Sequence, residues 1–151
     1  MGDRDSYDEE VIEEFRARGG VVGGALAKTP LLLLHHVGVR SARERVTPLA
    51  WWSAGETAIA VLASNFGASR HPAWYYNLLA KPTTIAEVRA EAWRVHARVA
   101  VGNERTRLLD RITAATPSAA AAVRGTQREI PVVVLDLLRR LDDSIEGMDA
   151  P

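Results

Sequence analysis

The sequence predicts a mainly β protein, an antiparallel barrel with helices on its outside. Three observations carry this reading. About six apolar or alternating runs of strand length are separated by short polar turns. One of them, Trp93 to Val101, alternates strictly. Trp93, Val95, Ala97, Val99 and Val101 share one face, and Arg94, His96 and Arg98 the other. The order is helix, three strands, short helix, hairpin, two helices, strand. That order calls for hairpin-type connections, the arrangement of an antiparallel barrel.

Ser6 to Arg18 reads as the first helix. Ser6 and Glu9 have capping-box spacing, Val11, Ile12 and Phe15 form a narrow apolar stripe, and Gly19-Gly20 ends it. Gly19 to Gly24 is a glycine-rich connector; it follows a helix rather than a strand, the wrong context for a phosphate-cradling loop. Leu31 to Val37 is a dense apolar run, a buried strand. Gly38 to Glu44 is a polar, arginine-rich loop. Arg45 to Ser53 reads as a second strand, with Pro48 at a bulge or edge. Thr57 to Ser64 is a third strand, after a turn at Ala54-Gly55-Glu56. Asn65 to Pro72 is a loop. Ala73 to Ala80 is a short helix, with Trp74, Leu78 and Leu79 on one side. Thr84 to Val88 and Trp93 to Val101 form a hairpin. Asn103 to Ala115 is a helix that Asn103 can cap, with Leu108, Leu109, Ile112 and Ala115 at helical spacing. Thr116-Pro117 then starts a short helix to Val123. Ile130 to Leu138 is the last strand. The expected organisation is one domain over 1–138, with its first helix at about 6–18, and a flexible tail over 139–151.

Composition narrows the function. Of the 151 residues 47% are hydrophobic and 25% charged, so a real core can form. Lys+Arg and Asp+Glu are both 19, which argues against a general nucleic-acid binder. The chain has no cysteine, so thiolate chemistry and cysteine-ligated metals are excluded. No apolar run approaches the roughly 18 residues that span a bilayer. A cytoplasmic protein is expected, with attachment at the periphery of a membrane as the second reading.

The four histidines show no chelating spacing. His35 and His36 are strand neighbours that point to opposite faces, and no metal site is expected. Arg40, Arg43 and Arg45 crowd one loop with Ser41. They suit a phosphate or carboxylate, or they are simply a solvated basic loop. Trp51-Trp52 and Trp74-Tyr75-Tyr76 hold five of the nine aromatics. They suit a flat ring with a charged tail, or core packing.

Several strings occur in order: Val11-Ile-Glu-Glu-Phe-Arg16, Pro30-Leu-Leu-Leu-Leu, Gly38-x-Arg-Ser41, Arg45-Val-Thr-Pro-Leu49, His71-Pro-Ala-Trp-Tyr-Tyr-Asn-Leu78 and Arg128-Glu-Ile-Pro-Val-Val-Val134. From about Tyr7 to Leu138 the chain resembles the deazaflavin-dependent nitroreductase family. This is an actinobacterial group of split β-barrel reductases that use the deazaflavin coenzyme F420. The resemblance implies a split-barrel fold. It implies hydride transfer from the reduced deazaflavin to an electron-poor acceptor: an enone, a quinone, a nitro compound or a biosynthetic intermediate. The cofactor would carry the chemistry and the protein would bind and orient it. FMN is the alternative cofactor, and a non-catalytic F420- or flavin-binding protein the alternative function. The expected partner is a small molecule, with no nucleic acid and no stable membrane insertion, in a monomer or weak dimer.

The same resemblance implies the site. Arg40, Ser41 and Arg45 would hold the phosphate end, and Val46, Thr47, Pro48 and Leu49 would run along the ring. Ala63, Ser64, Asn65, Phe66 and Gly67 stand beside the cofactor, with Ser64 as the catalytic position near ring and substrate. Pro72, Trp74, Asn77 and Leu78 would line the groove. Trp51, Thr116 and Ala119 fall on the substrate side. The chain also departs from the family. Asn65 replaces a lysine and Glu44 a proline, which alters charge near the cofactor. Thr116, Ala119 and Ala122 stand in the stretch where the namesake nitroreductase carries tyrosines.

Overall fold

The computed structural model describes residues 2–23 and 30–141, with side chains from residue 8 onward except that of Phe66. Helix α1 covers Gly2–Ala17. Strands β1 (Leu31–Val37), β2 (Glu44–Ala50), β3 (Trp52–Gly55) and β4 (Ala58–Leu62) follow. A short 3-10 turn at Asn65–Gly67 leads to α2 (Ala73–Ala80). The hairpin β5 (Thr83–Val88) and β6 (Glu91–Val99), helices α3 (Gly102–Ala115) and α4 (Pro117–Arg124), and β7 (Val132–Leu141) complete the described chain.

All seven strands form one antiparallel sheet in the order β2-β1-β5-β6-β7-β4-β3. Its two edge strands, β2 and β3, are consecutive in sequence and joined at Trp51. The sheet therefore curls until its edges approach, giving the mainly β split-barrel-like fold that the sequence predicts, with seven strands instead of about six. The extra strand comes from a break within the single strand expected over 45–53. Trp51 donates its backbone N–H to Pro30 O at 3.3 Å, the last rung toward β1, and from Trp52 onward the chain pairs with β4 instead. Adjacent tryptophans then serve opposite faces. Trp51 packs on the interior cluster, whereas Trp52 packs on the cluster beneath α3 and α4.

Covering of both faces explains the unbroken apolar runs Leu31–Leu34 of β1, Ala58–Leu62 of β4 and Val132–Leu135 of β7. Leu32, Leu34, Ile59, Val61, Val133 and Leu135 fill the barrel interior with Trp74 and Leu78 from α2. Ala60, Val132 and Val134 pack outward against Leu108, Ile112 and Ala119 of α3 and α4. Leu31 and Leu33 pack outward against Val11 and Phe15 of α1. The narrow stripe on α1 is thus enough to hold it on the outer face of β1 and β2.

Several boundaries differ from the expectations. α1 starts at Gly2, so Ser6 lies inside the helix rather than at its start. α3 starts at Gly102 with Val101 as its N-cap residue, so Asn103 does not cap it. Leu79 is 54% exposed, because only Trp74, Asn77 and Leu78 of α2 turn inward. Val101 lies beyond β6 and is 72% exposed. β7 runs to Leu141, because 139–141 pair with Ala92, Trp93 and Arg94. Those three residues belong to the sheet rather than to the tail expected over 139–151, and 142–151 lie outside the described residues. Gly24 of the glycine connector does too. Among the described residues no helix is long and apolar enough to cross a membrane, and no cluster of three His, Cys, Asp or Glu side chains could hold a metal.

Candidate active site

The hairpin between β1 and β2 presents the arginines. Val37 and Glu44 are its last paired residues. Gly38 N donates to Arg43 O and Ala42 N to Gly38 O, both at 2.9 Å. The loop turns tightly enough that Ala42 takes a positive φ of 59°. Ser41 Oγ accepts from Arg43 N at 3.2 Å and lies over Gly38, where a Cβ would overlap it. Residues Arg40 to Arg45 are all exposed. Arg40, Arg43 and Arg45 make no ion pair among the described residues, so three guanidinium groups remain available to an anion. Glu44 does not neutralise them. Alternation sends its carboxylate to the outer face, where Oε2 lies 3.7 Å from His35 Nδ1.

β2 pairs only with β1, so its other edge is not engaged by a strand. That position accommodates Pro48, which has no N–H to donate. Thr47 and Leu49 face the concave side, as His36 does. Val46 and Ala50 face α1.

Behind β2 a buried chain of hydrogen bonds ties three elements together. Asn77 of α2 accepts from Val39 N at its Oδ1, 3.0 Å away. Its Nδ2 lies 2.9 Å from His36 Nδ1, and His36 Nε2 lies 2.8 Å from Thr47 Oγ1. Asn77 and His36 are the two buried polar side chains of the described core, 5% and 4% exposed. Burial, then the charges of Arg45 and His35, push the His36 imidazole down to about 4, so it is neutral at physiological pH.

A second anchor fixes the segment after β4. Arg128 donates to Ala63 O at 3.1 Å, Ser64 O at 2.8 Å and Ala68 O at 2.9 Å. Its Nη1 lies 2.7 Å from His71 Nδ1. Asn65 has a positive φ of 49° and donates from Nδ2 to Arg70 O at 3.1 Å. Arg70 thus contributes its backbone to the loop. Ser64 is half-buried, and its hydroxyl has no partner among the described residues. Ala63 is fully buried. Gly67 adopts a φ of +80° and backs onto Ala122 of α4. The side chain of Phe66 lies outside the described residues.

The structure therefore brings Arg40, Ser41, Arg45, Thr47 and Asn77 into one connected unit. Pro72, Trp74 and Leu78 are buried, and the latter two are barrel core that supports α2 from below. The three substrate-side residues are separated. Trp51 faces the interior cluster, where its Nε1 donates to Leu31 O at 3.2 Å and Arg89 lies over its ring. Thr116 accepts from Trp52 Nε1 at 2.9 Å on the opposite face of the sheet. Ala119 is 7% exposed in the layer between α4 and that face. Trp51 therefore lies across the sheet from Thr116 and Ala119. Two clefts stand apart from the arginine hairpin. One of about 200 Å³ opens between α2 and β6 beside Tyr75, Leu79 and Pro82, and shares only Leu78 with the predicted set. The other, of about 600 Å³, runs along α3.

Sequence reasoning missed His36 and Arg128. Alternation along β1 was the available signal for His36, since Leu32 and Leu34 on its face are core. Arg128 gave none, because its partners lie 57 to 65 residues away.

Comparison with known proteins narrows the chemistry. A Mycobacterium tuberculosis protein that carries the name F420H(2)-dependent quinone reductase is 35% identical over 106 residues, covering 70% of this chain and 88% of its own. A second protein from the same organism, also named F420H(2)-dependent quinone reductase, is 33% identical over 85 residues, 56% of either chain. The solved structure of an F420-H2 dependent reductase superposes with a TM-score of 0.64 at 30% identity, covering 71% of this chain and 94% of that one. A structure solved as a domain-swapped dimer gives 0.66 at 28% identity, covering 89% and 98%. Residues 8–136 match the F420H(2)-dependent quinone reductase family, to which this chain belongs.

Proposed function

We propose that this protein is an F420-dependent reductase that delivers a hydride to a quinone-like acceptor. The observation that carries it is the hairpin of Arg40, Arg43 and Arg45, three guanidinium groups without carboxylate partners among the described residues, beside an edge strand. The residues present fit the cofactor. Its phosphodiester and glutamate tail are anionic, and Arg40 and Arg45, with Ser41, would hold that end. The free edge of β2 from Val46 to Leu49 offers backbone groups to a flat ring, and Asn77 acts by fixing the hairpin and β2 to α2. Reduced F420, when bound, supplies the hydride. Ser64 is assigned to the acceptor side. Its hydroxyl has no partner among the described residues, and Arg128 holds its backbone, so it can donate a hydrogen bond to an acceptor oxygen.

Quinones head the acceptor classes because the family and both mycobacterial relatives carry that activity in their names. The non-catalytic binding alternative has no observation in its favour, and FMN remains a comparison ligand only. The protein works as a monomer or weak dimer; the domain-swapped neighbour supports the second. It acts in the cytoplasm, with the membrane periphery as a second location. The test is fluorescence titration with F420 beside FMN, followed by F420H2-dependent reduction of a soluble quinone. Tight F420 binding, weak FMN binding and quinone turnover are expected. Binding without turnover on any quinone would overturn the reading.

A further inference from the structure

The buried chain behind β2 has a direction. Val39 N is a backbone amide and can only donate, so the Asn77 atom facing it at 3.0 Å must be the carbonyl oxygen. The Asn77 atom facing His36 is then the NH2 group, a donor, at 2.9 Å. His36 Nδ1 must accept. A neutral imidazole that accepts at Nδ1 carries its proton on Nε2, and that proton points at Thr47 Oγ1, 2.8 Å away. The hydroxyl oxygen of Thr47 is thereby engaged as an acceptor. Its own hydrogen has no acceptor among the described residues, and Thr47 is half-buried rather than enclosed.

We propose that His36 is a positioning residue that commits the Thr47 hydroxyl to donate a hydrogen bond to a ligand seated along β2. The ligand atom it selects is an acceptor, a carbonyl oxygen or an unprotonated ring nitrogen of a flat heterocycle. The inference rests on the reading that β2 carries the F420 ring. It assigns that ring an interaction through a side chain, oriented from α2 and the hairpin by a chain of hydrogen bonds that starts at Val39 N–H.

Two measurements test this. Nitrogen NMR of the ligand-free protein reads the tautomer of His36 directly. The Nε2–H form at neutral pH is expected; an Nδ1–H form or an imidazolium would overturn the proposal whether or not F420 binds. The second is a cycle of F420 titrations. Thr47→Val should weaken F420 binding about three- to tenfold, the scale of one neutral hydrogen bond, and Thr47→Ser should recover most of the loss. His36→Asn keeps an acceptor for Asn77 but is too short to reach Thr47. It should weaken binding about two- to fivefold alone and not at all in the Thr47→Val background. Equal losses from His36→Asn in both backgrounds would overturn the proposed positioning role. If His36→Asn does not fold, the Thr47 pair and the tautomer still decide. Failure of the wild-type protein to bind F420 would overturn the functional reading, while the NMR result would stand on its own.

Discussion

Arg128 donates from Nη2 to the carbonyl oxygen of Ser64 at 2.8 Å, across 64 residues of sequence. The same guanidinium holds Ala63 O, Ala68 O and His71 Nδ1. One planar fork therefore sets the course of the segment that follows β4. It also pushes His71 toward its neutral form, after burial has done so.

Arg128→Ala should destabilise the protein by about 2–3 kcal/mol, since it strands several carbonyl oxygens at once. Arg128→Lys should recover less than half, because an ammonium cannot reproduce the fork. Urea unfolding of both variants checks this. A loss in Arg128→Ala no larger than that of an ordinary surface substitution would mean that water replaces the fork.

Arg45→Ala should weaken F420 binding by about 1.5–3 kcal/mol, the scale of a charge-assisted hydrogen bond. The difference between variant and wild type should shrink as salt is added, because the hairpin is exposed and screened. Titration of both proteins at low and high ionic strength measures it. Equal affinities at low salt would remove Arg45 from the phosphate site.

Acid should loosen the outer face. Glu87 is raised by burial, but hydrogen bonds from His35 Nε2 at 2.6 Å and Arg16 Nη2 at 2.7 Å overcome this and bring it down to about 2. The ordinary value is 4.5, so the contribution is fully present above that pH. It is lost as pH falls from about 4.5 through about 2, when the carboxylate takes up a proton. The whole shift corresponds to at most about 3 kcal/mol, less after solvent screening of the partly exposed Arg16. Glu87→Gln should cost most of that at neutral pH, and the gap to wild type should close toward pH 2. Urea unfolding across that range reads it. A gap independent of pH would mean that the ion pair does not hold α1 to the sheet.

Much of this was legible in the sequence, for physical reasons that differ by element. β1 kept the bounds Leu31–Val37 because its first four residues are buried on both faces, and such a run is apolar on both. α2 kept Ala73–Ala80 because Pro72 and Pro82 bracket it. The strand expected over 45–53 split because the chain changes partner there, from β1 before Trp51 to β4 after it. Local propensity does not encode that change of partner. The hairpin arginines were visible as a cluster, and the harmless position of Glu44 follows from alternation once β2 is placed. The role of Arg128 was hidden, because its partners are backbone atoms that only the folded chain brings together.

Ala119 is where a sequence expectation and the fold diverge most usefully. The family resemblance puts Ala119 on the substrate side, from which Ala119→Tyr should alter substrate preference and spare cofactor affinity. In the structure Ala119 sits 7% exposed beneath α4, among Ala60, Leu108, Ile112 and Val134. A tyrosine there has no space, and its hydroxyl would enter an apolar layer. Overpacking of this kind costs about 1–3 kcal/mol. Ala119→Tyr should therefore lower the melting temperature clearly and leave the preference among quinones unchanged in whatever protein remains folded. Thermal melts beside quinone turnover decide between the two placements of α4. An unchanged melting temperature with a shifted acceptor preference would return α4 to the substrate side of the sheet.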